Sequence, residues 1–172
     1  MNLKDSKIYI AGHKGMVGSA ILRNLIRKGF KNLIYRTSKE VDLRLQKDVE
    51  DFLEFEKPSF IIDAAAVVGG IWANNEYRYK FLMDNMLIQN NLINAAIKNK
   101  IKNFIFLGSS CIYPKFANQP IKEESLLNGA LEETNQWYAV AKISGVKLIE
   151  AIRKQFGYNY VSLMPTNLYG PN

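Results

Sequence analysis

An α/β chain built on a doubly wound parallel sheet is the fold class this sequence predicts, on three observations. Short, nearly continuous apolar runs recur at 7–12, 32–37, 60–66, 103–109 and 159–165. Between them lie segments whose apolar residues repeat at helical spacing, and a glycine-rich turn follows the first run directly. Near-continuous apolar strands suit a sheet covered on both faces, and their alternation with amphipathic helices makes the strands parallel. Right-handed crossovers then predict the strand order 3-2-1-4-5.

The elements follow in chain order. KIYIAG (7–12) is a strand ending in glycine, and MVGSAILRNLIRKG (16–29) a helix with Val17, Ala20, Ile21 and Ile26 on its apolar face. NLIYRT (32–37) is the second strand. Residues 45–56 form a helix with Val49, Phe52 and Leu53 on one side, stopped by Pro58. FIIDAAA (60–66) is the third strand. A long helix over 74–99 carries Phe81, Ile88, Leu92 and Ala96 at helical spacing. NFIFLGS (103–109) is the fourth strand, 136–156 a helix, and NYVSLMP (159–165) the fifth strand. In such a sheet ligands bind beyond the carboxyl ends of the strands, where the chemically suggestive residues of this chain all fall.

Composition narrows the function classes. The chain has 172 residues, 48% hydrophobic and 23% charged, enough for one well-packed domain. One cysteine leaves no internal disulfide, and no apolar run reaches the roughly 18 residues of a membrane span. The amino-terminal MNLKDSKIYIAG lacks the apolar core of a signal peptide, so a reducing, cytoplasmic setting is expected. The formal charge of +7 comes from Lys and Arg spread along the chain rather than from a basic block. Nucleic acid and membrane partners are therefore not expected, and neither is a metal site.

The glycines at 12, 15 and 18 stand between a strand and a helix. Glycine there permits a tight turn and close backbone approach to a pyrophosphate, and the helix amino terminus supplies free N–H groups and a positive dipole end. Gly12, His13, Lys14, Gly15, Met16, Val17 and Gly18 are thus candidates for holding a dinucleotide. An NAD site usually ends its second strand with a carboxylate for the ribose 2′-hydroxyl. Here Arg36, Ser38 and Lys39 stand at that end, and Lys14 adds a cation, so NADP(H) is favoured over NAD(H). The same charges are also what a solvated surface would carry. His13, the single histidine, lies in the phosphate turn and so on the adenosine or pyrophosphate side, away from a reacting carbon.

YAVAK (138–142) places Tyr138 and Lys142 one helical turn apart. An ammonium beside a phenol is expected to lower its pKa from the usual value of about 10, fitting it to exchange a proton with a carbonyl or alcohol oxygen. Taken alone, a surface pair has the same spacing. Joined to the glycine turn and to Ser109 at the end of the fourth strand, the pair becomes specific.

With GHKGMVGSAI, AAAVVGGIWANN, LGSSCIYPK, YAVAK and MPTNLYGP on the page, the chain resembles the extended short-chain dehydrogenase/reductase family, from residue 7 to its last residue. The resemblance implies a Rossmann domain over residues 1–172 that is incomplete, with further strands, a substrate domain and a partner histidine beyond residue 172. It implies a reductase site of Ser109, Tyr138 and Lys142, with Lys142 also on the nicotinamide ribose. It adds Asp42 and Leu43, then Leu107, Gly108, Ser109 and Ser110, then Pro165, Thr166, Asn167 and Leu168 to the NADP(H) contacts. The branch it most resembles acts on GDP-linked 4-keto-6-deoxy sugars, epimerising C3 and C5 before hydride reduces C4. A related C4 reductase of another GDP-linked 4-keto sugar, such as a heptose, is the alternative, and a non-catalytic NADP-sensing module a more distant one.

Cys111 takes its meaning from the same resemblance. Related 4,6-dehydratases carry an Asp-Glu pair at the positions of Ser110 and Cys111, and this chain has neither carboxylate. The resemblance implies that a Cys111 thiolate removes the protons flanking the C4 ketone. The plainer reading is a small buried apolar residue. Family members are usually homodimers joined by four helices, here expected from 74–99 and 136–156. The 172 residues alone are expected to be inactive.

Overall fold

The computed structural model describes residues 3–171. Five parallel strands, β1 (Ile8–Ala11), β2 (Leu33–Ile34), β3 (Phe60–Asp63), β4 (Asn103–Leu107) and β5 (Asn159–Leu163), form one sheet. The helices are α1 (Met16–Arg27), α2 (Gln46–Glu56), α3 (Ile71–Glu76), α4 (Arg78–Lys98) and α5 (Gln136–Phe156). The doubly wound α/β class is as the alternation predicts. Among the described residues no helix is long and apolar enough to cross a membrane.

The strand order is 2-1-3-4-5 rather than the expected 3-2-1-4-5. Strand length gives the physical reason. β2 offers only two residues, Leu33 and Ile34, for pairing with β1, whereas β3 pairs with β1 at four positions, from Ile8↔Phe60 to Ala11↔Asp63. A strand buried on both faces belongs inside the sheet, and an outer place beside so short a neighbour would leave it exposed. The order in which strands are added therefore reverses between β1 and β3, which makes the crevice beyond their carboxyl ends the expected ligand position.

Side chains alternate across the sheet with the period of two that strands impose. Ile8, Ile10 and Ile62 face α1, packing on Ile21, Leu22 and Leu25. Tyr9, Ala11, Ile61, Phe104, Phe106 and Tyr160 face the other way, onto Val49, Phe52 and Leu53 of α2, Leu92 and Ala96 of α4, and Ile149 and Ile152 of α5. Coverage is unequal: α1 shields β1 and β3, while Ile105, Leu107 and Val161 of β4 and β5 are only half-buried on that side. The expectation of a sheet fully covered on both faces holds for its centre only.

The helix expected over 74–99 is two helices that meet at Tyr77, whose backbone (φ −102, ψ 43) leaves the helical region. Asn74 fixes the first of them by donating through Nδ2 to the Gly69 and Gly70 carbonyls at 2.8 and 3.2 Å. The helix over 136–156 has the expected bounds and ends on Gly157 in the left-handed region (φ 67).

α5 lies so close to β4 that Gly145 touches the Phe106 ring. A Cβ there would fall 2.4 Å from Phe106 Cζ and 2.9 Å from Gln89 Oε1. Both neighbours are fully buried and cannot retreat. Gly145→Ala should therefore destabilise the fold by about 1–3 kcal/mol, the usual cost of overpacking, read as a lower midpoint in urea unfolding.

Candidate active site

Two groups of residues gather at the carboxyl edge of the sheet. The first surrounds the glycine turn. Gly12 has a left-handed backbone (φ 75), and a Cβ on it would stand 2.6 Å from the Ala64 carbonyl oxygen at the end of β3. A Cβ on Gly18 would stand 2.1 Å from the Gly12 carbonyl oxygen. Only glycine lets the turn, α1 and β3 approach this closely. Gly15 caps α1 with extended backbone and no side-chain acceptor, so the first-turn N–H groups of Met16, Val17 and Gly18 are offered to an anion in front of them. That cradle fits a dinucleotide pyrophosphate.

Beside the turn lies a cavity of about 600 Å³, lined by the predicted Gly12, His13, Lys14, Gly15, Arg36, Ser38, Lys39, Asp42 and Leu43. Arg44, Ala64 to Val67, Lys80 and Asp84 line it as well and were not predicted. The 64–67 stretch could have been found, because it directly follows a strand at the carboxyl edge. Arg44, Lys80 and Asp84 carry no local signal. Two carboxylates lie near the cations at the end of β2. Arg36 donates to Glu56 Oε1 at 2.6 Å and lies 5.6 Å over the Phe52 ring. Glu40 accepts from the backbone and hydroxyl of Thr37, both at 2.7 Å. Neither carboxylate belongs to the strand-end position where an NAD site would carry one. His13 packs 4.8 Å from the Tyr35 ring, and burial first, then Lys14, lowers its pKa, so it is neutral at pH 7.

The second group lies around the end of β4. The chain leaves Leu107, makes a single 3-10 turn over Ser110–Ile112, and packs that turn on α5. Ser109 Oγ accepts from the Cys111 N–H at 3.4 Å. Gly108 N–H donates to the Leu163 carbonyl at 2.8 Å and Ser110 N–H to the Pro165 carbonyl at 3.1 Å. These bonds bring the 107–110 segment beside Leu163 and Pro165. Lys142 donates through Nζ to the Leu107 carbonyl at 2.8 Å and sits 4.6 Å over the Phe106 ring and 5.8 Å from the Tyr138 ring centre. It is only 3% exposed. Leu107, Gly108, Ser109, Ser110, Cys111, Tyr138, Lys142 and Pro165 thus share one neighbourhood, while Leu168 at its margin is exposed.

Electrostatics corrects one expectation. The Tyr138 phenol is pushed up from its usual range, not down: burial dominates, with the Cys111 and Asp63 charges adding to it. Lys142 does not offset this, because its ammonium is turned onto the Leu107 carbonyl. Its own pKa is lowered, by burial above all. Burial likewise raises the Cys111 thiol, against the smaller opposing effects of the Ser109 hydrogen bond and Lys142. In this form both phenol and thiol hold their protons at pH 7.

Two further residues escaped the sequence reading. Asn135, just before α5, faces Cys111 and acts on its thiol. Asp63 ends β3 with a side chain 1% exposed. Read only as part of an apolar strand, it was passed over, although a carboxylate inside FIIDAAA is itself a signal.

Residues 8–172 match the family described as the NAD dependent epimerase/dehydratase family. The chain is 55% identical to GDP-L-fucose synthase 1 of Arabidopsis thaliana over 172 residues, covering 100% of this chain and 53% of that protein. It is 50% identical to GDP-L-fucose synthase of Escherichia coli (strain K12) over 170 residues, 99% of this chain and 53% of that protein. The solved structure of MlghC, a GDP-mannoheptose C4 reductase from Campylobacter jejuni with NADP bound, has a TM-score of 0.94 at 40% identity, covering 98% of this chain and 54% of that one. The chain spans about half the length of the curated relatives it matches.

The half-buried thiol gives a direct check on the site's electrostatics. Alkylation of Cys111 by iodoacetamide at pH 7 should run about tenfold or more slower than that of a free cysteine peptide. Its rate should keep climbing at pH values above the ordinary thiol range, because burial holds the proton on sulfur.

Proposed function

The chain belongs to the NAD dependent epimerase/dehydratase family, and from that premise we propose that it is the nucleotide-binding half of an NADPH-dependent enzyme. The enzyme converts GDP-4-keto-6-deoxy-D-mannose to GDP-L-fucose, by epimerisation at C3 and C5 and reduction at C4. The observation that carries the reading is the meeting of Ser109, Cys111, Tyr138 and Lys142 at the end of β4, beside a glycine cradle that fits a dinucleotide. Identity of 50–55% to two GDP-L-fucose synthases supports the substrate.

A nicotinamide held there would supply hydride to the sugar carbon. The proton transfers at C4 and the proton removal at C3 and C5 fall to residues of this chain. Tyr138, which keeps its proton at pH 7, donates it to the C4 oxygen as the alcohol forms. Ser109 hydrogen-bonds the same oxygen and holds the carbonyl in line with the phenol. Lys142 leaves the Leu107 carbonyl to hold the nicotinamide ribose hydroxyls, and in that position also stabilises the phenolate left behind. Cys111 takes protons from C3 and C5 once the Ser109 bond and the Lys142 charge outweigh its desolvation. The proton returned to the opposite face of each carbon comes from the partner histidine expected beyond residue 172. At the other end of the crevice the Lys14, Arg36 and Lys39 charges receive a 2′-phosphate, which the NADP carried by a 40% identical neighbour supports.

We place the enzyme in the cytoplasm as a homodimer. Tyr79, Met83 and Leu87 of α4 and Val140 of α5 are apolar and exposed, as faces joining two copies would be. A second reading, reduction of a GDP-linked 4-keto heptose without epimerisation, is favoured by the raised Cys111 pKa and by the likeness to the heptose C4 reductase.

Tyr138→Phe in the full-length protein should lower kcat by about 10²–10⁴-fold while NADPH binding, read by fluorescence quenching, persists. Turnover of GDP-4-keto-6-deoxy-mannose in deuterated water should place deuterium at C3 and C5. Reduction without label at either carbon would overturn epimerisation and leave the heptose-type reductase.

A further inference from the structure

Asp63 has no part in the chemistry above, yet its position is unusual. It closes β3 in register with Ala11 of β1 on one side and Phe106 of β4 on the other. By strand alternation its side chain shares the face of Ile61, Phe104 and Phe106, the face on which α5 lies. Oδ1 accepts from the Ala65 N–H at 3.1 Å, while Oδ2 is fully buried with no hydrogen-bond partner. On the same face Lys142 Nζ stands 4.6 Å over the Phe106 ring. That ammonium has three donors, and its partners are one carbonyl and the ring faces of Phe106 and, farther off, Tyr138. A buried cation so thinly compensated loses its proton readily, and a counter-charge close by is what keeps it charged.

We propose that Asp63 is a positioning residue for this site: its buried carboxylate is the counter-charge that keeps the Lys142 ammonium charged and in place at the carboxyl ends of β3 and β4. Among the described residues no contact ion pair joins the two groups, and the carboxylate acts on the ammonium through its field. Lys142 is the cation that acts on Asp63, and Asp63 in turn opposes the desolvation of Lys142. The other groups facing it are Tyr9 from β1, whose phenol it helps to keep protonated, and Tyr138 from α5, on which it acts the same way. Cys111, in the loop after β4, acts with it on Lys142. Burial raises the Asp63 carboxyl itself to about 6, so the counter-charge is present above that pH and absent below it.

The inference rests on the reductase reading for its kinetic test. Neutralising Asp63 removes a negative charge that favours the protonated forms of both Lys142 and Tyr138. The full-length Asp63→Asn protein should therefore lose kcat/KM at the alkaline end of the profile, by about tenfold near pH 9. It should match the wild type within about twofold below pH 6, where the wild-type carboxyl is itself neutral. Profiles that coincide over the whole range overturn the proposal. A purely structural role would lower activity evenly with pH, and that outcome overturns it too.

If the wild type reduces no GDP-linked 4-keto sugar, the functional reading fails, and a second measurement still decides this one. It is carbon-13 NMR of the full-length protein labelled at its aspartate carboxyls, and it also serves if the variant does not fold. One aspartate should titrate near pH 6, and in Lys142→Met the same resonance should titrate at higher pH. No aspartate titrating above the ordinary range, or one indifferent to Lys142, overturns the coupling.

Discussion

The ammonium of Lys142 is buried at the end of a parallel sheet, and its 2.8 Å bond to the Leu107 carbonyl ties α5 to β4. Burying a charge costs several kcal/mol unless other groups compensate it, so this bond cannot be incidental. It fixes the rotation of α5 about its axis. Tyr138, one turn earlier, is then carried toward the loop that follows β4, and Gly145, nearly one turn later, is pressed against Phe106. Without that glycine the helix would ride farther from the sheet and the ammonium would miss its carbonyl. The position of the reactive groups and the packing of the core are thus one problem with one solution.

A second constraint places this group beside the glycine turn. The order of strands reverses between β1 and β3, so the connections after these strands leave in opposite directions and open a crevice. The walls approach closely at its base, where Gly12 lies against the Ala64 carbonyl and Gly18 against Gly12. The two sets of candidate residues are therefore neighbours along one edge, with Asp63 in register between the last residue of β1 and Phe106 of β4.

Much of this was legible in the sequence, and what was not shares a cause. α5 has its expected bounds because twenty-one residues of sustained helical spacing end on a glycine in the left-handed region. The glycine turn was legible because its role is backbone geometry, which three glycines specify locally. The strand order was not, since periodicity tells a strand from a helix but does not say which neighbour a strand chooses. The break at Tyr77 was hidden because the apolar spacing continues across it. Asp63 was hidden inside an apolar run. The protonation of Tyr138 and Cys111 was misjudged because spacing reveals which charges are near, whereas desolvation depends on how tightly everything else closes around them.

That misjudgement carries a consequence for the proposed reaction. A tyrosine that donates a proton in the reductive direction must hold one when substrate arrives, and a raised pKa keeps it there at pH 7. The same burial works against Cys111, which must lose its proton to act as a base. One environment thus favours proton donation at C4 and disfavours proton removal at C3 and C5. Epimerisation needs a change in that environment, and Lys142 is the group able to make it. Released from the Leu107 carbonyl, its ammonium would act on the phenol and strengthen the lowering it already exerts on the Cys111 thiol, because both conjugate bases are anions. In the proposed reaction both steps use the state in which Lys142 has moved: thiolate formation is eased there, and the phenol still holds a proton to donate because burial raises its pKa.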